Sequence, residues 1–160
     1  MPPVTPMKIG VLSDTHNFLD PKIPELFAGV SHILHAGDIG LPWILTELER
    51  VAPVTAVGGN TDEPALRYDP VKIVELDGWK FFVQHIVQPQ APGENLRESL
   101  ARERPDAVVF GHTHKRFCET LGGVLFFNPG YAGRPKFGAE RSAALLHCDG
   151  TGIREEYLDL

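Results

Sequence analysis

Two histidines separated by one small residue, in Gly111-His112-Thr113-His114, follow directly on the apolar run 107–110. That run reads as a short buried strand, bounded by Pro105-Asp106 on one side and Gly111 on the other. The histidines therefore sit on a strand-end loop. Gly111 lets the backbone turn sharply, and the i, i+2 spacing lets two imidazoles converge on neighbouring points. Two adjacent metal ions would want such a pair. Alone, a His-x-His is more often a polar turn, so its weight depends on what the other strand ends carry. Asp14 and His16 stand two apart after residues 8–13, Gly37-Asp38 follows residues 32–36, Gly59-Asn60-Thr61-Asp62 follows residues 53–57, and His85 lies just past residues 79–83. Each motif is cheap by itself, and Gly-Asp is among the commonest turn pairs. Three consecutive strand–helix units that all end in an oxygen or nitrogen donor are much stronger. They place those donors at the carboxyl edge of a parallel sheet, where such folds build their sites.

The elements that must position these donors follow from periodicity. The runs 8–13, 32–36 and 53–57 are short and apolar enough to be strands covered on both faces. Residues 23–30 fit a short helix stopped near Gly29, and residues 42–50 a clearer one, with Pro42 in its first turn and apolar residues at 41, 44, 45 and 48. Beyond Pro64 the pattern alternates. Residues 71–76 and 79–83 flank Asp77-Gly78 as an antiparallel hairpin. An amphipathic helix over 94–104 precedes the strand that carries the two histidines. Residues 124–127 predict a buried strand ending in Asn128-Pro129-Gly130, and 142–148 with 153–158 a final hairpin around Asp149-Gly150. The expectation is a mixed α/β sandwich, parallel units first and antiparallel hairpins afterward, in a single domain over 1–160. His35 is expected in the core or behind the ligands.

Composition narrows the function. With 160 residues, 42% hydrophobic and 22% charged, the chain can bury a full core. Fifteen basic against 21 acidic residues leave a formal charge of -6, so a long nucleic acid has no broad basic face to lie on. Cys118 and Cys148 belong to no Cys-x-x-Cys pattern and read as buried thiols in a reducing cytoplasm. No apolar stretch approaches the roughly 18 residues of a membrane span. The proline-rich residues 1–6 lack a signal peptide's basic and apolar regions, and are expected to be loosely held.

In order, Asp14-x-His16, Gly37-Asp38, Gly59-Asn60-x-Asp62, His85, Gly111-His112-x-His114 and Asn128-Pro129-Gly130 resemble the calcineurin-like metallophosphoesterases, specifically their small bacterial and archaeal phosphodiesterase branch. The match runs from about Lys8 to the final hairpin. The resemblance implies a four-layer α/β/β/α sandwich with a dinuclear site at the strand ends. It implies that Asp14, His16 and His114 hold one divalent ion, that Asn60, His85 and His112 hold the other, and that Asp38 bridges them. Asp38, Asn60 and His112 would be the catalytic members. Oxygen and imidazole donors without thiolate suit Mn, Fe, Co, Ni or Zn, with manganese the first expectation. Hydroxide between two such cations is a strong nucleophile near neutral pH, so hydrolysis of a small phosphodiester is expected. A homo-oligomer is compatible with this reading, and neither a membrane nor a long nucleic acid is needed as a partner.

Three positions depart from the pattern. Many larger phosphatases of the superfamily have a histidine directly after Gly-Asn as general acid, and here the residue is Thr61, which favours acidic leaving groups. His85 is followed by Ile86 where the family usually has glycine, and Ile86 takes a positive φ only at a cost, so the loop is expected to be displaced. Tyr131 stands where serine is common, with Arg134 and Lys136 beyond it, either contacting substrate phosphate or merely solvated. The competing readings are a scaffold, since a retromer subunit resembles these enzymes in fold, and a phosphomonoesterase.

Overall fold

The computed structural model describes residues 5–160 and consists of two five-stranded sheets with helices on their outer faces. Residues 1–4, which include most of the proline-rich lead-in, lie outside the described residues. In the first sheet β1 (Met7–Leu12), β2 (His32–His35) and β3 (Val54–Ala56) run parallel, Ile9 opposite His32 and Ile33 opposite Val54. Helices α1 (Ile23–Leu26) and α2 (Trp43–Glu49) make the crossovers. The final hairpin, β9 (Ser142–Asp149) and β10 (Gly152–Asp159), adds antiparallel to β1 and gives the order β10-β9-β1-β2-β3.

The second sheet has the order β4-β5-β6-β8-β7. Its edge is the expected hairpin, β4 (Val71–Leu76) against β5 (Trp79–Gln84), Leu76 opposite Trp79. Its centre corrects the reading that the second half is antiparallel. β5, β6 (Ala107–Val109) and β8 (Val124–Asn128) are parallel neighbours, because α3 (Glu94–Glu103) carries the chain from β5 back to the start of β6 and residues 117–121 carry it from the end of β6 back to the start of β8. A strand missing from the sequence reading, β7 (Phe117–Leu121), pairs antiparallel with β8 through the Gly122-Gly123 turn. Its residues are half-buried or exposed, none fully buried, and polar residues interrupt them, so no apolar run marks them.

Alternation along the strands makes three apolar layers. Ile9, Val11, Leu34, Phe81, Val83, Val109, Phe127, Ala144 and Leu146 fill the space between the sheets. Leu12, Ile33 and Leu145 face the other way onto α1 and α2 with Phe27, Ile44 and Leu48. Phe82, Val108, Phe110 and Phe126 form the matching layer with Leu96 and Leu100 of α3. The result is the α/β/β/α order, with the carboxyl ends of β1, β2, β3, β5, β6 and β8 gathered at one edge. Gly10, central in β1, leaves the space that the Phe27 ring occupies: a Cβ there would come within 2.8 Å of it. Gly10→Ala is therefore expected to lower stability by about 1–3 kcal/mol through overpacking, read from denaturant midpoints at unchanged slope.

Candidate metal centre

The loops that leave the parallel strands carry the candidate donors, and the backbone laces these loops together beyond the strands. Asp14 N–H donates to Gly37 O (2.9 Å), His16 N–H to Asp38 O (2.9 Å) and Asn17 N–H to Ile39 O (2.8 Å), which extends the β1–β2 pairing into both loops. Gly111 N–H donates to His85 O (2.9 Å) in the same manner on the second sheet. The sheets are joined at the edge by His112 N–H, which donates to Asp14 Oδ2 (3.1 Å). Glycine is needed where these loops press on the carboxylates. A Cβ on Gly59 would lie 2.1 Å from Asp38 Oδ1, and one on Gly111 2.0 Å from Ser13 Oγ and 2.8 Å from Asp14 Oδ2.

Five of the seven candidates adopt the left-handed backbone region: Asp14 (φ 58°), His16 (45°), Asp38 (54°), His112 (71°) and His114 (62°). For residues other than glycine this costs about 1–3 kcal/mol each and persists only where the surroundings over-determine it. Three buried or half-buried side chains supply that restraint. His35 accepts from Gly37 N–H at Nδ1 (3.1 Å), which leaves its Nε2–H to meet Thr15 Oγ1 (2.9 Å), and that hydroxyl donates to Ile39 O (2.8 Å). The Asp62 carboxylate accepts from Ile39, Gly40 and Gly59 N–H (3.1, 2.9 and 2.9 Å), tying the β2 loop to the β3 loop. Asn128 Nδ2 donates to Gly111 O and Thr113 Oγ1 (both 3.1 Å), fixing the loop of the two histidines. Sequence reasoning put His35 in the core or behind the ligands but overlooked the tethering roles of Asp62 and Asn128. Both belonged to quoted motifs, and an Asp two residues after Gly-Asn was the available signal.

The seven candidates then lie as follows. Asp14 is fully buried. Its Oδ2 accepts from Ser13 Oγ (2.8 Å) and His112 N–H, whereas its Oδ1 is buried without a hydrogen-bond partner. Around Oδ1 stand His114 Nε2 at 3.4 Å, His16 Nε2 at 3.8 Å and His85 Nε2 at 3.8 Å. Asp38 Oδ1 accepts from Thr61 N–H (2.9 Å), and its Oδ2 sits between His85 Nε2 (3.2 Å) and His16 Nε2 (3.7 Å). Asp14, His16 and His114 form one group whose ligand atoms all lie within 4.8 Å of one another, and Asp14, Asp38 and His85 form another. His112 and Asn60 lie on the exposed rim. His112 Nδ1 is 3.0 Å from Asn60 Oδ1, and its ring centroid is 5.4 Å from that of His85. Ile86 keeps out of the left-handed region and points outward, 47% exposed, so the loop accommodates it without withdrawing His85 from the cluster.

His85 decides what the cluster is suited to hold. Its Nδ1 lies 2.7 Å from Ala36 O, and since a carbonyl only accepts, Nδ1 carries a proton. In the neutral ring Nε2 is then a bare lone pair, buried, without a hydrogen-bond partner, and aimed at two carboxylate oxygens. Lone pairs facing lone pairs in a buried site require a cation between them. With a proton as that cation, burial opposes the charged ring, but Asp38, Ala36 and Asp14 outweigh it and hold His85 above its ordinary pKa. Burial likewise works against ionisation of Asp38, yet His85 and the Thr61 N–H outweigh it and keep the carboxyl well below the usual range. Burial dominates at Asp14 and raises its pKa. Hard oxygen and imidazole donors converging on two adjacent points fit divalent ions.

A family model for the calcineurin-like phosphoesterase superfamily domain matches residues 7–151. The chain belongs to that superfamily. It is 33% identical over 159 residues to a probable metallophosphoesterase of Methanothermobacter thermautotrophicus, covering 95% of this chain and 92% of that one. Among solved structures it is similar to an archaeal phosphodiesterase, with a TM-score of 0.73 and 28% identity over 95% of this chain and 100% of the other. Vps29 of Entamoeba histolytica shares the fold, with a TM-score of 0.74 at 21% identity over 96% and 99% of the two chains. Family membership agrees with the donor chemistry that the cluster presents on its own.

The core of this phosphoesterase-family site has a pH signature apart from the ligands. Burial pushes the His35 pKa down to about 3, so the native state stays unprotonated there while the unfolded chain binds a proton below about 6.5. Stability contributed by neutral His35 is present above the unfolded pKa and is lost as pH falls from about 6.5 toward 3. His35→Gln, measured by denaturation across that window, is expected to flatten the acid-side slope by up to about 1.4 kcal/mol per pH unit.

Proposed function

We propose that this chain is a phosphodiesterase that works with two divalent ions held by the strand-end cluster. The observation that carries the reading is the pair of buried, unpartnered ligand atoms, Asp14 Oδ1 and His85 Nε2, facing each other among further donors. Asp14, His16 and His114 would hold one ion, His85, Asn60 and His112 the other, with Asp38 between them. Manganese is the first choice, and Fe, Co, Ni or Zn suit the same donor set. Such ions, when bound, supply a lowered pKa for water and offset negative charge on phosphoryl oxygens.

The chain's own residues then divide the work. Asp14 and Asp38 set a negative floor that retains the ions, and the αL loops hold the imidazoles at their angles. Asn60, on the exposed rim with its Oδ1 against His112, would donate its amide N–H to a phosphoryl oxygen. Thr61 spends its backbone N–H on Asp38, and its hydroxyl, 3.4 Å from His16 Nδ1, is no general acid near neutral pH. Departure of the leaving group therefore rests on that group's own acidity, which favours aryl and other activated esters. The substrate is a small phosphodiester. The formal charge of -6 speaks against a long nucleic acid, and among the described residues no helix is long and apolar enough to cross a membrane. Two free cysteines fit a reducing cytoplasm, and a homo-oligomer is compatible with the site.

Metal-loaded protein is expected to cleave an aryl phosphodiester faster than the matching monoester, and Asp38→Asn to lower that activity by about a hundredfold or more, with anomalous scattering counting the ions. Bound metal with neither ester cleaved would support a scaffold instead, and turnover of the monoester alone a monoesterase. A second measurement addresses Thr61. Across a series of diesters kcat/KM should fall steeply as the leaving group becomes less acidic, and Thr61→His should flatten that dependence, raising the poorest substrates about tenfold or more.

A further inference from the structure

To one side of the cluster, a cleft of about 550 Å³ opens beside His114, walled by Lys115, Arg116, Tyr131, Lys136 and Glu140. Its charge is unlike that of the whole chain. Three cations line it against one carboxylate, in a protein of net charge -6. Arg116 is already engaged, with Asp159 as its ion-pair partner, Ser142 Oγ at 3.2 Å and the Tyr157 ring beneath its guanidinium. Among the described residues, no ion pair involves Lys115 or Lys136.

Lys136 is not a loose surface lysine, because the loop that carries it is anchored at both ends. Tyr131 O accepts from Ser142 N–H (2.8 Å), and Tyr131 pairs with Arg141 as an isolated bridge. Arg141, part-buried, donates to Gly133 O (2.7 Å) and pairs with buried Asp20 (2.7 Å), which ties the loop to the segment following His16. The Tyr131 hydroxyl donates to Arg134 O (2.9 Å). The Tyr131 ring thereby forms a post: it stacks on His114 with centroids 4.7 Å apart and planes at 27°, and Lys136 Nζ lies over it, 4.5 Å from its centroid. A cation–π contact of this kind places an ammonium without neutralising it.

We infer that this cleft is an anion-selective subsite for the retained ester arm of the substrate, with Lys136 and Lys115 reading a negative charge on that arm. The inference rests on the phosphodiesterase reading. In an in-line displacement the leaving group departs opposite the attacking oxygen, away from the buried floor, so a lateral cleft receives the arm that stays on phosphorus. Electrostatic recognition there offsets the repulsion that a negative protein exerts on a doubly anionic substrate.

The test uses three p-nitrophenyl phosphodiesters whose retained arm is 4,4-dimethylpentyl (a neutral arm of matching size), 3-sulfopropyl or 3-trimethylammoniopropyl. The wild-type protein should prefer the sulfonate, by about three- to tenfold in kcat/KM over the neutral arm, and more over the cation. Lys136→Ala should remove most of that preference and Lys136→Glu reverse it, each read as the ratio of kcat/KM between arms within one variant. Added salt should shrink the wild-type preference, which a merely structural role of Lys136 would not produce. Binding is read independently of hydrolysis by amide shifts on titrating the zinc-loaded protein with 3-hydroxypropanesulfonate, a poor metal ligand. Shifts at residues 113–116 and 136–140, lost in Lys136→Glu, would support the subsite even if no diester were cleaved, a result that would overturn the phosphodiesterase reading alone. Equal kcat/KM for the three arms, or loss on all three alike in Lys136→Glu, would overturn the subsite and leave the hydrolysis reading standing.

Discussion

Acceptors facing acceptors is the constraint on which the structure turns. Asp14 Oδ1, Asp38 Oδ2 and the Nε2 atoms of His16, His85 and His114 crowd into one buried-to-half-buried space, and Ala36 O fixes the proton of His85 on the far side of its ring. At Asp14 Oδ1 and His85 Nε2 such an arrangement is unfavourable without a cation, because these buried atoms have no hydrogen-bond partner. A folded chain that keeps it has a site built for positive charge. A divalent ion and a proton compete for the same lone pairs, so metal affinity is expected to weaken in acid.

The architecture supplies what that crowding demands. Parallel strands at the centre of both sheets direct six carboxyl ends to one edge, and face-to-face packing brings the two sets of loops within side-chain reach. Five left-handed non-glycine residues would be hard to sustain on free loops. Here the β1 and β2 loops pair through their backbones, Asp62 satisfies three N–H groups, and His35 joins Thr15 to Gly37 in the buried layer below. Strain at the site is thus held by hydrogen bonds that lie one layer away from the reacting edge, where their partners are shielded from water.

The shared fold does not by itself assign an activity, since Vps29 has the same architecture at 21% identity. What distinguishes chains on this fold is the edge: which donors line the floor, and what the walls offer to the rest of a substrate. In this chain the floor combines two buried aspartates with three histidines, while Tyr131 carries the neighbouring loop against His114 and sets Lys136 over the cleft. The rim at position 61 has a hydroxyl where an imidazole would serve as an acid. Under the proposed activity, the floor would serve activation of water and the walls the choice of ester.

Much of this was legible in the order of residues. Short β-branched runs ending in glycine and a donor mark strand ends, because a buried strand must be apolar and its exit must turn, so Asp14, His16, Asp38, Asn60, His112 and His114 stood out by position alone. Local pattern also sufficed for the two hairpins, the first turning at Asp77-Gly78 and the second at Gly150-Thr151, one residue beyond the expected Asp149-Gly150. Tertiary structure decided the rest. That β5, β6 and β8 are parallel depends on where α3 and β7 return the chain, which no local signal encodes, and β7 is an edge strand without an apolar run. Left-handed backbone at aspartate and histidine, the unpartnered Asp14 Oδ1, and the stack of Lys136 on Tyr131 on His114 arise from contacts between residues far apart in the chain. Spacing can nominate donors, but only packing across the two sheets brings their lone pairs to the same few ångströms.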